Sequence, residues 1–383
     1  MIQIDLKPLD TLFFRDARSF NAGEESTADF NFPSPLTFYG AIGNAVLEDT
    51  SEVDRIKFVS GEYKHPKLGK YDQKLLNTPL KLKGPFLQKG EKTYFPPPSN
   101  LWIEVTRRPY VPHVLFPYEN NQCMWDIIDK KIKPLKIPNV LGLELKPLEE
   151  YIPVEELMKY LAGRLSSFST ISSEPENSFF IQETRYGHVI SKYSKSPEDH
   201  FLYTAVNLRF RDQLRKQKLI ESGFTIVAEG IEESDLHNKI LTLGGERKKV
   251  AVKCKNNKLI TENPEILREI QNKKKFFIYF ASPAIFKNGW RLELPAEFSD
   301  AVLVGAAVNK PLYISGWKAN KNDFGGQPRP IKKAVRAGSV YFFEANSWNK
   351  EKFTKFFEKY NFGASLSDEY CSAGFGISLI GCW

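Results

Sequence analysis

The start of the chain shows a two-residue hydrophobic period followed by a helical one. Ile2, Ile4 and Leu6 alternate with polar residues, so the first nine residues are predicted to form a strand with one apolar face. Ser34 and Pro35 are residue types favoured at a helix N-cap and first helical position. The helix predicted after them has apolar residues at helical spacing: Phe38, Ala41, Ile42, Ala45 and Val46.

Two glycines, Gly40 and Gly43, lie inside this predicted helix. Each lowers helix stability by about 1 kcal/mol relative to alanine. They indicate close packing on that face, either against the rest of the fold or against a ligand or partner.

Strand and helix patterns continue along the chain. Residues 60–150 are irregular and rich in proline and lysine, as is typical of insertions on a scaffold. A polar stretch over 255–275 is predicted to separate two lobes. The later predicted elements are a helix from Pro153, strands over 179–189, 201–210, 224–228, 248–255, 276–280 and 339–343, a short helix over 234–243, a loop over 316–338, and a helix capped by Ser347.

The order of these elements predicts an α+β fold. The second half has a strand, further strands, a helix and a last strand, which resembles part of a β-α-β-β-α-β ferredoxin-like unit. The first half has the same alternation, interrupted by insertions at about 60–150. We therefore predict two tandem ferredoxin-like units, at 1–260 and 275–383.

Charge narrows the class of partner. The 383 residues include 54 lysines and arginines against 46 aspartates and glutamates, a net charge of +8. Such a surplus favours an anionic partner, with nucleic acid first and a membrane surface second. The alternative is a solvated basic surface with no partner.

Several classes of protein are disfavoured by simple features. Four scattered cysteines (Cys123, Cys254, Cys371 and Cys382) lack C-x-x-C spacing, so neither a zinc knuckle nor a redox motif is predicted. The N-terminal residues lack a signal-peptide pattern, and no apolar run approaches the ~20 residues of a membrane span. We expect a cytoplasmic protein with no membrane association, metal or cofactor.

A glycine-rich loop, Gly374-Phe375-Gly376, lies close to the last residue given. Dinucleotide and P-loop sites place such glycines before a helix, whose N-terminus holds the phosphate. No helix pattern follows here. Because glycine lets backbone N–H groups approach a ligand, a phosphodiester backbone is the predicted ligand.

Three basic clusters are candidates for phosphate binding. Only the third mixes lysines and arginines with glycines and aromatic residues. This combination suits phosphate contact together with stacking on a nucleobase. The clusters are Lys130, Lys131, Lys133 and Lys136; Arg247, Lys248, Lys249, Lys253 and Lys255; and Lys318, Lys321, Arg329, Lys332, Lys333 and Arg336, the last interleaved with Trp317, Phe324, Gly325 and Gly326.

The sequence offers little for catalysis. None of the five histidines forms a zinc-protease pattern, and no G-x-S-x-G motif occurs. His188 is either a general base for RNA cleavage or a surface or packing histidine. We expect a protein that is not an enzyme.

Short blocks in a fixed order resemble the RAMP proteins of CRISPR systems, which are ferredoxin-like, RRM-like RNA binders. Among these they are most similar to the third subunit of the type III-B effector, the Cmr complex. The blocks are PLDTLFFRD (8–16), FPSPLTFYGA (32–41), FPPP (95–98), LGGER (243–247), SPAIF (282–286) with GW (289–290), ISGW (314–317), AGSVYF (337–342) and GFG (374–376).

The resemblance implies a non-catalytic RNA-binding subunit in antiviral defence. Such subunits cap the five-prime tag of the guide RNA, dock the large polymerase-like subunit and touch a neighbouring backbone RAMP subunit. The glycine-rich loop would lie along the RNA. Charge and placement add Arg15, Arg185, Arg247, Lys318, Arg329 and Lys332 to the predicted contacts. The alternative is a stand-alone RAMP endoribonuclease that processes precursor CRISPR RNA with His188.

Overall fold

The structure is a computed structural model, and helices and antiparallel strands both occur throughout the part of the chain it describes. This mixed composition agrees with the predicted α+β pattern. The described residues are 1–14, 32–106, 108–118, 131–136, 142–165, 170–191, 193–215, 218–237, 239–256, 258–261, 263–320, 323–345 and 347–383. The side chains of 188–189, 197–203, 215, 218, 320 and 323–326 lie outside this description.

The helices and strands are numbered here in chain order. The α-helices are α1 (Pro35–Leu47), α2 (Glu52–Ser60), α3 (Val154–Leu161), α4 (Pro264–Lys273) and α5 (Lys350–Tyr360). The strands are β1 (Ile2–Pro8), β2 (Leu12–Phe13), β3 (Lys81–Lys89), β4 (Lys92–Phe95), β5 (Leu101–Glu104), β6 (Pro112–Val114), β7 (Phe116–Pro117), β8 (Leu135–Lys136), β9 (Leu145–Pro147), β10 (Ile152–Pro153), β11 (Phe180–Ile190), β12 (Pro197–Phe210), β13 (Gln213–Arg215), β14 (Lys218–Ile220), β15 (Ser222–Glu229), β16 (Ile240–Thr242), β17 (Lys249–Lys255), β18 (Lys275–Phe280), β19 (Ala301–Ala307), β20 (Leu312–Ile314), β21 (Trp317–Asn320), β22 (Asp323–Pro328), β23 (Lys332–Ala334), β24 (Val340–Ala345) and β25 (Ser378–Cys382).

Membrane-spanning helices are absent from the described part of the chain. Its longest helix, α1, has 13 residues, and none of its helices combines the length and apolar character that crossing a bilayer requires.

The chain divides into two compact units, each built from three segments. Unit 1 comprises Met1–Glu91, Glu176–Asn257 and Tyr313–Lys332; unit 2 comprises Lys92–Pro175, Lys258–Leu312 and Lys333–Trp383. Each predicted lobe, at 1–260 and 275–383, is instead one continuous stretch of the chain. The difference arises because residues 92–175 supply α3 to unit 2, where the ring of Tyr160 lies 5.0 Å from that of Phe277.

The main sheet of unit 1 joins strands that are far apart in sequence. Its strands pair in the order β16-β17-β1-β15-β3, and β1 is antiparallel to both β15 and β17. Helix α1 begins after Ser34, whose side chain accepts the N–H of Leu36. The ring centroid of Phe38 in this helix lies 5.1 Å from that of Phe224 on β15. The predicted strand, cap and helix are therefore confirmed.

The opposite face of this sheet carries a buried carboxylate. Asp5 on β1 accepts hydrogen bonds from Gln3 (3.0 Å), Gln88 (2.9 Å) and Thr225 (2.7 Å), and pairs with Lys255 at 2.8 Å. These partners come from β1, β3, β15 and β17. Because a buried charge is costly unless fully bonded, this network ties four strands together.

The main sheet of unit 2 is covered on both faces. Its strands pair in the order β19-β24-β18-β25. On one face the ring centroid of Phe276 lies 5.1 Å from that of Phe353 of α5. On the other, Tyr279 donates its hydroxyl to the Pro96 carbonyl at 2.6 Å, next to Tyr160 of α3. Alternate residues of β18 thus pack against different layers, as a strand's two-residue period requires.

Four predictions differ from the structure. Residues 60–150, predicted to be insertions on a scaffold, include β3, which pairs with β15 in the main sheet of unit 1. The helix predicted over 234–243 is a short 3-10 turn at Glu233–Asp235 followed by β16, because residues 240–242 pair with β17. The loop predicted over 316–338 contains the paired strands β21 and β22 and also β23. The cap of α5 is Asn349, not Ser347, and its side chain accepts the N–H of Lys352 at 2.9 Å.

Candidate nucleic-acid interface

The turn between β16 and β17 presents Arg247 at the surface of unit 1. Gly245 donates its N–H to the carbonyl of Phe13 at 2.8 Å, and a Cβ at Gly244 would lie 2.5 Å from the same oxygen. The turn can therefore approach β2 only with glycine there. Glu246 and Arg247 follow with φ of +55° and +52°, a conformation that costs about 1–3 kcal/mol for such residues and is common at functional sites.

Arg185 belongs to an exposed ion-pair cluster on β11 and β12. Its Nη2 donates to Glu183 at 2.8 Å, and Arg209 Nε donates to the same carboxylate at 2.7 Å. Arg209 also pairs with Asp10 at 3.3 Å. These two hydrogen bonds lower the pKa of Glu183, which stays ionised. Two cations thus face two carboxylates, so a phosphate at Arg185 has to compete with Glu183.

The hairpin of β21 and β22 brings two of the predicted residues together. The N–H of Arg329 donates to the Gly316 carbonyl at 2.7 Å, and its Nε donates to the Trp317 carbonyl at 3.3 Å. Lys318 follows Trp317 on β21, and the Trp317 residue is 61% exposed. Lys332 lies at the start of β23 and is half-buried. The hairpin carries cations and an exposed aromatic ring, the residue types that bind a single nucleic-acid strand, with Trp317 and Lys318 on opposite faces because they are successive strand residues.

The glycine-rich loop lies in unit 2 and its amides are used inside that unit. Gly374, Phe375 and Gly376 are all buried. Gly376 donates its N–H to the Pro283 carbonyl at 2.7 Å, and a Cβ on it would lie 2.3 Å from the backbone nitrogen of Ser367. A phosphate reaches these amides only if these hydrogen bonds open. Contact between this loop and RNA stays a prediction, and the structure gives Gly376 a packing role.

Most of the predicted RNA-binding residues outside the glycine-rich loop lie in unit 1. Arg15 lies outside the described residues, and of His188 only the backbone, opposite Leu202 on β12, is described. Arg185, Arg247, Lys318, Arg329 and Lys332 are all in unit 1. Within it, the structure joins only Lys318 and Arg329 in one described hairpin; Arg185 and Arg247 are on separate elements.

The other two basic clusters are partly used in ion pairs. In the first, Lys133 pairs with Glu344 at 3.4 Å. In the second, Lys255 contacts Asp5 at 2.8 Å and Glu91 at 2.7 Å. These lysines stabilise sheets rather than forming an open phosphate site.

Sequence reasoning missed Arg209 as a member of the surface cluster. It lies opposite Ile181 in the β11–β12 register, which brings its guanidinium to Glu183. Arg209 and Glu183 are 26 positions apart in the sequence. Only the strand register reveals the pair, and neither charge pattern nor motif signals it.

Comparison with known proteins identifies the family. The family model described as "CRISPR-associated protein (Cas_Cmr3)" matches residues 4–383. No curated protein sequence matches the chain.

Solved structures that align with most of this chain were also found. One, titled as the type III-B Cmr-beta complex bound to cognate target RNA, is 16% identical, with a TM-score of 0.49, over 89% of this chain and 86% of that chain. Another, titled as a Csm3-Csm4 subcomplex of the type III-A CRISPR-Cas interference complex, is 10% identical, with a TM-score of 0.38, over 91% and 93%. At these values the likenesses add nothing to the family match. That match confirms the resemblance drawn from the sequence blocks, and the chain belongs to the Cmr3 family of CRISPR-associated proteins.

Proposed function

We propose that this chain is a non-catalytic RNA-binding subunit of a type III-B CRISPR effector, where it caps the five-prime tag of the guide RNA. In this role it docks the large polymerase-like subunit and contacts a neighbouring backbone RAMP subunit. The observation that carries the proposal is the family match over residues 4–383.

We further propose that both units are ferredoxin-like. In unit 1, the chain order β1, α1, β3, β15, β17 gives the spatial order β17-β1-β15-β3. In unit 2, the chain order β18, β19, β24, α5, β25 gives the spatial order β25-β18-β24-β19. Fourth, first, third and second strands therefore lie side by side in both units, which supports a common plan.

The surface chemistry of unit 1 supports RNA as the ligand. The hairpin of β21 and β22 combines Lys318 and Arg329 with the exposed ring of Trp317, and Arg247 is held at the surface by a glycine turn. With a net charge of +8, the chain favours a polyanion.

The test uses the effector complex purified from its host through a tag on the exposed Met1. Changing Arg247→Gln and Lys318→Gln together removes two phosphate contacts. The slope of log affinity for guide RNA against log salt should fall by about 1.4, because single strands lose about 0.7 per contact. Lys92→Gln, an exposed lysine of unit 2, is the matched control and should keep the slope.

Two further readouts bear on the proposal. Sequencing of co-purified RNA should recover guides with a common five-prime tag, and the large subunit should co-purify. Repeat RNA incubated with the chain in EDTA should stay intact; cleavage that is lost in His188→Ala would instead support the endoribonuclease alternative.

A further inference from the structure

Unit 1 contains a cavity of about 460 Å³ beside the β21–β22 hairpin. This volume is within the roughly 300–1,000 Å³ of small-ligand pockets. The lining residues come from the end of α2, from the loop before β3 and from the hairpin: Val59, Ser60, Gly61, Tyr71, Gln73, Ala319 and Gln327.

Specific contacts build this cavity. Helix α2 ends at Gly61, whose φ of +80° turns the chain away from the helix. Across the opening, the N–H of Ala319 donates to the Tyr71 hydroxyl at 3.1 Å. The guanidinium of Arg329 donates to the Gln73 carbonyl. A predicted RNA-binding residue therefore holds one wall of the cavity in place.

The lining is uncharged but rich in groups that pair with nucleobases. Gln73 and Gln327 each carry a primary amide, which donates and accepts hydrogen bonds as base edges do. Tyr71 contributes a half-buried ring that can stack on a base.

Both lysines and acidic residues are sequence neighbours of the lining residues. Glu62 follows Gly61, and Asp72 lies between Tyr71 and Gln73, where its carboxylate accepts the N–H groups of Lys74 and Leu76. Lys70 and Lys74 flank the loop of Tyr71 and are exposed, and Lys318 precedes Ala319 and is half-buried. A polar, uncharged cavity next to lysines suits a nucleotide: its base enters the cavity while its phosphates stay near the cations.

We propose that this cavity takes one unstacked nucleobase of the bound RNA strand. The proposal rests on the proposed RNA-binding function and adds a base-binding subsite to it. Gln73 and Gln327 are its specificity-determining residues, and Arg329 is a positioning residue that acts through the Gln73 backbone.

The experiment is an abasic scan of the RNA. The tagged effector complex is assembled with synthetic guide RNAs that each carry one abasic position in the tag, and dissociation constants are measured by fluorescence anisotropy. In the unmodified complex, one position should weaken binding about tenfold when its base is removed. In the Gln73→Ala, Gln327→Ala variant, the intact RNA should bind about tenfold more weakly and the same abasic position should cost nothing more.

Two further variants complete the design. Ala319→Phe, at an exposed strand position, fills the cavity and should reproduce the loss with the fold retained, as checked by melting temperature. Asn256→Ala, an exposed amide of unit 1 outside the lining, should leave the abasic profile unchanged.

The outcomes separate the two proposals. If RNA binds but the sensitive position stays sensitive in both cavity variants, or no position is sensitive, the base-binding subsite is wrong and RNA binding stands. If the assembled complex holds no guide RNA through this chain, both proposals are wrong.

Discussion

Asp5 is a residue whose fourfold bonding makes it a determinant of stability. Burial by itself raises the pKa of its carboxyl, but the hydrogen bonds from Lys255, Thr225, Gln3 and Gln88 outweigh burial and lower the pKa below its ordinary value. Changing Asp5→Asn removes the charge from these bonds and should lower the free energy of unfolding by about 2 kcal/mol. Urea titration followed by circular dichroism measures it.

The control for this change is Glu91→Gln. Glu91 also pairs with Lys255, but its side chain is 78% exposed. Exposed pairs contribute about 0–1 kcal/mol. An Asp5→Asn loss no larger than that of Glu91→Gln would contradict the importance given to burial.

The same carboxyl predicts a pH dependence. Its pKa is lower in the folded chain than in the unfolded one, so the unfolded chain binds more protons between the two values. The stabilisation is present above about pH 4 and is lost as the pH falls through the folded value. In the Asp5→Asn variant, the urea midpoint should fall less on acidification, because the stabilisation by the ionised Asp5 carboxyl is already absent. An equal fall in the variant and the unchanged chain would contradict this pH dependence.

His65 predicts a second dependence, closer to neutral pH. Its buried ring accepts the N–H groups of Lys67 (3.1 Å) and Leu68 (3.3 Å) at Nδ1. Burial first, and then the charge of Lys67, lower its pKa, although Asp235 opposes them. The neutral ring is the one that fits, so stability should fall as the pH drops below about 6.5. The midpoint of urea unfolding between pH 8 and pH 5 measures this.

His65→Asn is the matched variant, because an Asn side chain also accepts a backbone N–H two residues on and carries no proton in this range. It should flatten the fall between pH 7 and pH 5. If the variant keeps the full fall, another group is responsible.

At the residue scale, sequence reasoning found local features and missed convergent ones. The cap Ser34 was predictable because its partner is two residues away. Asp5 was visible only as one residue of an alternating strand. Its partner Thr225 is 220 residues away, and no local pattern predicts that register.

At the element scale, close packing explains one glycine of the glycine-rich loop, Gly376. A methyl group on Gly376 would lie 2.3 Å from the Ser367 nitrogen and 2.7 Å from the Ser365 hydroxyl, at a φ of +68°. Gly376→Ala should therefore destabilise unit 2 by more than about 2 kcal/mol. Thermal unfolding of the variant measures it.

Gly40→Ala is the control of opposite sign. Among the described atoms, none lies within 4 Å of a Cβ placed there, and Gly40 is exposed in α1. Alanine should stabilise the helix by up to about 1 kcal/mol. Thermal unfolding measures this gain, and a destabilisation would contradict the open space around Gly40.

Elements with strong local signals were predictable, and elements defined by pairing were not. The apolar period of β1 and α1 identified both. The short strand β16 was assigned to a helix because its strand character comes from pairing with β17. The hairpin of β21 and β22 has a glycine- and proline-rich sequence typical of loops, yet its two segments pair with each other.

At the scale of the whole molecule, the segmented units predict that simple truncation fails. A fragment of residues 275–383, the predicted second lobe, lacks α3 and leaves Phe277 and Tyr279 without the ring of Tyr160. It should retain strands but lose fixed side-chain packing, seen as dye binding and loss of near-ultraviolet circular dichroism. Adding residues 92–175 in trans should restore part of that signal.

Cooperative unfolding of the isolated fragment, with native near-ultraviolet circular dichroism, would contradict this prediction.

The lobes predicted from sequence followed a change in composition, whereas the compact units follow contacts between distant segments. Composition carries no information about which segment a helix packs on. The predicted boundary at 255–275 includes one division between the units, at Asn257 and Lys258, whereas the other divisions, after residues 91, 175, 312 and 332, were not predicted.

Strand β1 has a further consequence for synthesis in the cell. Its partners β15 and β17 begin at Ser222 and Lys249, so β1 leaves the ribosome long before either exists. At about 5–20 residues per second, this central strand waits roughly ten seconds or more with both edges open. The nascent chain therefore passes through an aggregation-prone interval, and trigger-factor-like holding chaperones should be found on it during translation.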